Sequence, residues 1–209
     1  MKKSWDLNWN KFYKSTKGNQ YPEPSIIRFI AENYYQVKDR SHIKILELGY
    51  GTGGHQWYFN REGFDTYGID ISSRAINMAK ARLKKEGLQS HLCVRDFISL
   101  PYKDESMDAV IDTTSIQHNS LEAIREIIKE IYRVLKKGGK FFGMLIAEHK
   151  DLSDSRFKTH FFKKKEIRAL FSKFKNVKID NLHYSEENGE KYIKFWIVET
   201  QKLQTENYL

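Results

Sequence analysis

Apolar residues fall into two periods along this chain. Residues 43–48 form an apolar run with the length of a buried strand, and residues 66–71, 91–95, 107–112 and 140–147 read as further strands, the last apolar in its centre. Between them, apolar positions recur every three or four residues. Ile26, Ile27, Phe29, Ile30 and Tyr34 form one such set; Ala75, Ile76, Ala79 and Leu83 form a second; Ile124, Ile127, Ile128, Ile131 and Leu135 form a third. That spacing predicts amphipathic helices, each with one stripe facing a core. Strands alternating with helices predict an α/β fold with a doubly wound, mostly parallel sheet.

Local signals bound these elements. Ser25 is placed to cap the first helix, and Asn119 with Glu122 has the pattern of a capping box. Lys136-Lys137-Gly138-Gly139 reads as a basic last turn and a glycine stop. Shorter helices are predicted from about His55 to Glu62 and from Lys163 to Phe174. Two final strands, near residues 177–184 and 192–200, flank Asn188-Gly189, a strong hairpin signal, so the sheet ends in an antiparallel pair. Residues 1–24 form an aromatic N-terminal arm (Trp5, Trp9, Phe12, Tyr13, Tyr21) closed by Pro22 and Pro24. The arm either packs on the core or closes over a ligand as a lid.

The 209 residues suit a single domain, 1–209, with a full core. No run reaches the roughly 18 apolar residues of a membrane span, and the N-terminus lacks an apolar signal core. The one cysteine, Cys93, lies mid-strand as a small apolar residue. It excludes an internal disulfide, a Cys-rich zinc site and an iron–sulfur cluster, and it fits a reducing, cytoplasmic setting. No metal-ligand spacing such as H-E-x-x-H occurs, so no catalytic metal is expected. The net charge is +9, yet the lysines are dispersed in pairs and triplets at helix ends and termini. They read as solvated helix ends; a nucleic-acid partner is the less favoured alternative.

The chemistry concentrates at the end of the first strand, in Glu47-Leu48-Gly49-Tyr50-Gly51-Thr52-Gly53-Gly54. Glycines allow positive φ and close approach by a ligand. A strand, a glycine loop and a helix N-terminus make a nucleotide-binding turn. Gly49, Gly51 and Gly54 satisfy G-x-G-x-x-G, while Gly49, Gly51 and Gly53 satisfy G-x-G-x-G. Asp70, at the tip of the second strand, can accept both hydrogen bonds of a ribose diol, because Ser72 and Ser73 are at hand to cap the next helix. Asp96 and Asp112 end the third and fourth strands, at the sheet edge where α/β folds bind ligands.

Taken in order, Glu47-x-Gly49-x-Gly51-x-Gly53, Gly68-Ile69-Asp70, Asp96-Phe97, residues 108–112 and residues 134–139 resemble a class I S-adenosylmethionine-dependent methyltransferase. The resemblance covers about residues 25–200. It implies a Rossmann-like seven-stranded sheet of order 3-2-1-4-5-7-6 with strand 7 antiparallel. It further implies that Gly49, Gly51 and Gly53 line S-adenosylmethionine, that Glu47 holds the loop and faces the cofactor's positive end, and that Asp70 binds the ribose. Asp96 would bind the adenine amino group, Ile71 and Phe97 would flank the ring, and Asp112 would line the methionine. Tyr50 departs from the small residue often found there. An NAD-dependent enzyme would share the loop and Asp70, but Glu47 and Asp96 favour the methyltransferase.

Methyl transfer is an in-line displacement, and a hydroxyl acceptor gains from a general base. His118, in the loop after the fourth strand, is the candidate base, with His55, His149 and His160 behind it. Asp112-Thr113-Thr114-Ser115 stands where base-amine methyltransferases carry Asp/Asn-Pro-Pro-aromatic, and Cys93 has no adjacent proline. The expected acceptor is therefore the hydroxyl or amine of a small molecule. An RNA or protein acceptor, and a non-catalytic cofactor-binding module, are the alternatives.

Overall fold

A computed structural model describes residues 8–150, 157–186 and 191–203. Trp5, the His149 side chain and the Asn188-Gly189 turn lie outside the described residues. The strands form one seven-stranded sheet of order β3-β2-β1-β4-β5-β7-β6, as the resemblance implies. By contact, the chain divides into two compact units, one of Leu7–Asp96 and one that includes Phe97–Leu209.

The first unit carries α1 (Trp9–Ser15), α2 (Pro24–Tyr34), β1 (Lys44–Leu48), α3 (Gly54–Arg61), β2 (Asp65–Asp70), α4 (Ser73–Lys85) and β3 (His91–Val94). β1, β2 and β3 are parallel, with Glu47 beside Gly68 and Asp70 beside Val94. Ile45, Leu46, Leu48 and Ile69 are fully buried, which is why these runs show no polar alternation. α2 buries Ile26, Phe29, Ile30 and Tyr34, one stripe at helical spacing. Its N-cap is Glu23 with Pro24 in the first turn, not Ser25, whose buried hydroxyl has no partner among the described residues. α4 starts where the sequence places it: Ser72 Oγ accepts the Ala75 N–H at 3.1 Å. α1 is not predicted from the sequence. Its seven residues carry a short aromatic stripe (Trp9, Phe12, Tyr13) but no fully buried position, and a helix this short is anchored by tertiary contacts.

The second unit carries β4 (Met107–Thr113), a 3-10 turn (Ile116–His118), α5 (Leu121–Val134), β5 (Leu135–Lys150), α6 (Lys164–Leu170), β6 (Lys175–Glu186) and β7 (Lys191–Gln201). β4 and β5 are parallel, and β7 runs antiparallel to both β5 and β6. α5 buries Ile124, Ile127, Ile128, Ile131 and Val134. Two boundaries differ from the sequence reading. The α5 cap is Ser120, whose hydroxyl accepts the Ala123 N–H at 3.3 Å, while the Asn119 amide turns back to the Ile116 carbonyl at 2.9 Å. The helix also stops one turn early. Leu135 is extended and pairs with Met107 of β4, so Lys136 cannot complete a helical turn. It bonds both Asp108 carboxylate oxygens instead, at 2.9 and 2.7 Å.

Among the described residues, no helix is long and apolar enough to cross a membrane.

Candidate functional site

The end of β1 is held by a buried polar cluster. Glu47 is 1% exposed. One of its oxygens lies 2.7 Å from His55 Nδ1, and the other accepts the Gln56 amide at 2.8 Å. Both partners sit in the first turn of α3, so Glu47 clamps that helix, and the loop before it, onto the strand. A buried carboxylate without such partners would be strongly disfavoured. His55 Nε2 accepts the Glu23 N–H at 3.3 Å, which puts the proton on Nδ1, facing Glu47. Both ring nitrogens are thus occupied in holding the loop and the N-terminal segment. His55 therefore leaves the set of candidate bases.

Between β1 and α3 the loop turns through Gly49, Gly51 and Gly53 at φ of 67, 54 and 81°. Two of these have further reasons to be glycine. A Cβ on Gly53 would lie 2.9 Å from the Ala79 methyl of α4, and one on Gly51 would lie 3.0 Å from the Tyr13 hydroxyl. Asp70 closes the loop from the neighbouring strand. Its Oδ2 accepts the Gly51 N–H at 2.9 Å, and its Oδ1 accepts the Ser72 N–H at 2.8 Å. The carboxyl is 5% exposed, and burial raises its pKa to about 6, opposed by its backbone hydrogen bonds and reinforced by the charge of Glu47. The Ile71 N–H also stabilises this carboxylate, and its remaining acceptor capacity is what a ligand hydroxyl would use. Ile71 follows directly, partly exposed. Asp96 lies two residues past β3, also partly exposed, with Cys93 partly exposed rather than fully buried.

α1 belongs to this cluster. Asn10 Oδ1 accepts the Ser72 hydroxyl at 2.7 Å, and Arg74 Nε donates to the Tyr13 carbonyl at 2.7 Å. Further along, Thr52 Oγ1 donates to the Asn19 carbonyl at 3.2 Å. The helix is thus laid over the glycine loop, with Tyr13 against Gly51. Burial, then Asp70 and Glu47, push the Tyr13 phenol far above its ordinary range, so it stays protonated. Sequence reasoning named Tyr13 only as an arm aromatic. The signal it passed over is that the arm is polar between its rings (Asn8, Asn10, Asn19, Gln20), as a segment bonding to a loop must be.

The remaining predicted residues lie in the second unit. Phe97 is 6% exposed. Asp112 is fully buried at the end of β4, and its Oδ1 accepts the N–H groups of Ser115 and Ile116 at 3.2 and 3.1 Å. It shapes the turn that carries His118. Gln117 pins that turn: its Oε1 accepts the Ile146 N–H at 2.9 Å, and its carbonyl accepts the His160 N–H at 2.8 Å. His118 Nδ1 lies 3.4 Å from the Lys158 carbonyl and 3.3 Å from the Thr159 hydroxyl. The Lys158 carbonyl can only accept, whereas the Thr159 hydroxyl can donate or accept, so Nδ1 is the ring atom that ties His118 to this segment. His160 is engaged through Nε2 with both oxygens of Glu166 at 3.0 Å, which makes it a tether between its loop and α6 rather than a base.

A seven-stranded sheet of this order, with a carboxylate at the ends of β1 and β2 and a glycine loop leading into α3, defines the class I methyltransferase architecture. Comparison with known proteins agrees. Residues 45–139 match the model of a methyltransferase domain family. The chain is 24% identical over 172 residues to a phosphoethanolamine N-methyltransferase of Plasmodium falciparum, an alignment covering 80% of this chain and 63% of that protein. The chain spans less than two thirds of the length of the first curated relatives it matches. Among solved structures, a SAM-dependent methyltransferase from Methanosarcina mazei aligns with a TM-score of 0.69 at 22% identity, over 88% of this chain and 99% of that one. A Haemonchus contortus phosphoethanolamine N-methyltransferase 2, solved with phosphomonomethylethanolamine and S-adenosylhomocysteine, aligns with a TM-score of 0.72 at 17% identity, over 95% of this chain and 61% of that one. The chain is thus similar over residues 45–139 to a methyltransferase domain family, and it has the fold of these solved methyltransferases.

Proposed function

We propose that this chain transfers a methyl group from S-adenosylmethionine to an amine or hydroxyl of a small-molecule acceptor. The observation that carries the reading is the Asp70 carboxylate, buried at the end of β2, clasping Gly51 and keeping acceptor capacity for a ribose diol. The cofactor supplies a methyl already activated on a sulfonium sulfur. The chain's part is to bind, orient and exclude water. In this reading Asp70 accepts the ribose hydroxyls, and the turns at Gly49, Gly51 and Gly53 set the loop against the cofactor. Glu47 keeps that loop rigid through His55 and Gln56, and its buried charge favours a cationic ligand. Asp96 and Ile71 serve the adenine. Tyr13 and its helix cover the loop and keep water from it. The roles of Phe97, Asp112 and His118 rest on the resemblance and on their local geometry, with His118 Nε2 receiving a proton from an acceptor hydroxyl or ammonium.

Among relatives, the name of the Plasmodium protein includes an amine acceptor, which supports a small polar amine here. An RNA acceptor is the second reading, favoured by one observation: Lys163, Lys164, Lys165, Arg168, Lys173 and Lys175 are all exposed, with Glu166 alone against them across residues 163–175. Cofactor-dependent methylation of a panel of small amines and alcohols, run beside tRNA and bulk RNA, tests both. Activity confined to RNA, with strongly salt-dependent binding, would overturn the small-molecule reading.

A further inference from the structure

The residue between the first two loop glycines is a tyrosine, and the fold makes room for it. Tyr50 is 3% exposed and packs with Ile76 and Ala79 of α4 and with Leu92 of β3. A Cβ on Gly68 of β2 would lie 2.6 Å from the Tyr50 ring, so a glycine in mid-strand admits that ring. Phenylalanine would fill the same space. Tyrosine instead buries a hydroxyl, and that hydroxyl has no hydrogen-bond partner among the described residues. A buried, unmatched donor costs stability that the ring's packing does not require. Burial holds the phenol protonated, and the ionisable group acting on it most strongly is Asp70, followed by Cys93, Glu47 and Tyr13. The hydroxyl therefore remains a donor, within the field of the carboxylate that clasps the glycine loop and not hydrogen-bonded to it.

We propose that Tyr50 is a cofactor-recognition residue, whose hydroxyl donates to a ribose oxygen of the adenosyl group while the ribose O–H groups donate to Asp70. The inference rests on the methyltransferase reading and deepens it. A ribose hydroxyl is both donor and acceptor, and Asp70 can only accept from it. Tyr50 supplies the complementary donor, so the two side chains together select a ligand bearing an intact diol. A small residue at position 50 could not make this contact.

The experiment is calorimetric titration of the full chain and of Tyr50→Phe with S-adenosylhomocysteine and its 2′-deoxy and 3′-deoxy forms, with thermal unfolding of each ligand-free protein. The expected result is about a tenfold loss of affinity in Tyr50→Phe. One deoxy form should bind both proteins equally, and ligand-free Tyr50→Phe should melt at the same temperature or higher. Equal affinity of both proteins for S-adenosylhomocysteine would overturn the inference while leaving the methyltransferase reading intact. So would the same loss for every analogue together with a lowered melting temperature, because that marks a packing role. Failure of the wild-type chain to bind S-adenosylhomocysteine would overturn the underlying reading, and the inference with it.

Discussion

The Asp70 carboxylate accepts the Gly51 N–H at 2.9 Å, so the tip of β2 fixes the loop that leaves β1. One side chain thereby joins the group expected to bind a ribose to the backbone expected to lie beneath it. Replacing it should affect both. Asp70→Ala should weaken S-adenosylhomocysteine binding by about 1.5–3 kcal/mol, the scale for hydrogen bonds to a charged group. Calorimetry reads this directly, and unchanged affinity would remove Asp70 from the ribose role.

The raised pKa of Asp70, about 6, has a sign that can be checked. Unfolding returns the group to its ordinary value near 3.8, so between those values the folded state binds the proton more tightly. Its ionisation costs folding free energy as pH rises through about 6, on the order of 3 kcal/mol in full. Ligand binding has the opposite slope, because a ribose diol donates to the ionised carboxylate. S-adenosylhomocysteine affinity should be flat above pH 6 and fall toward tenfold per pH unit below it, with proton release seen in buffers of different ionisation enthalpy. Asp70→Asn should abolish that pH step.

Glu47 makes a prediction about stability. Glu47→Ala leaves His55 Nδ1–H and the Gln56 amide without their buried acceptor, and should cost about 3 kcal/mol in urea unfolding. Glu47→Gln keeps one acceptor oxygen and should cost less. A cost under about 0.5 kcal/mol for the alanine variant would mean that the loop is held by other contacts.

Gly53 tests the loop's packing against α4. Gly53→Ala meets both a positive φ and the Ala79 methyl at 2.9 Å, and should destabilise by about 2 kcal/mol. Adding Ala79→Gly should recover the steric part only. Full recovery in the double variant would show that the left-handed backbone costs nothing.

These residues also show what the sequence could and could not disclose. The apolar runs and the helical spacing carry the element order, because both faces of β1, β2 and β4 are buried and leave an unbroken signal. The glycine loop, Asp70 and the Ser72 cap are legible because each depends on neighbours within a few residues or on a fixed offset. Ser25 misled, since Pro24 can open a helix on its own. Lys136 misled because strand pairing of Leu135 with Met107, a contact across the sheet, overrides a local helix-end pattern. Tyr13, His55 and His160 act through partners far away in the chain, Gly51, Glu23 and Gln117 among them, and no local spacing reports such contacts.

His118 carries the catalytic proposal. His118→Ala should lower kcat at least tenfold with little change in affinity for S-adenosylhomocysteine, and His118→Gln should not restore it, since an amide is not a base. Wild-type turnover in either variant would reduce His118 to a residue of the turn.

The most direct test of the whole account is calorimetric titration of the full chain with S-adenosylmethionine, with NAD as the control. The account predicts one-to-one binding of S-adenosylmethionine in the micromolar range and none of NAD. Binding of NAD alone, or of neither, would contradict it.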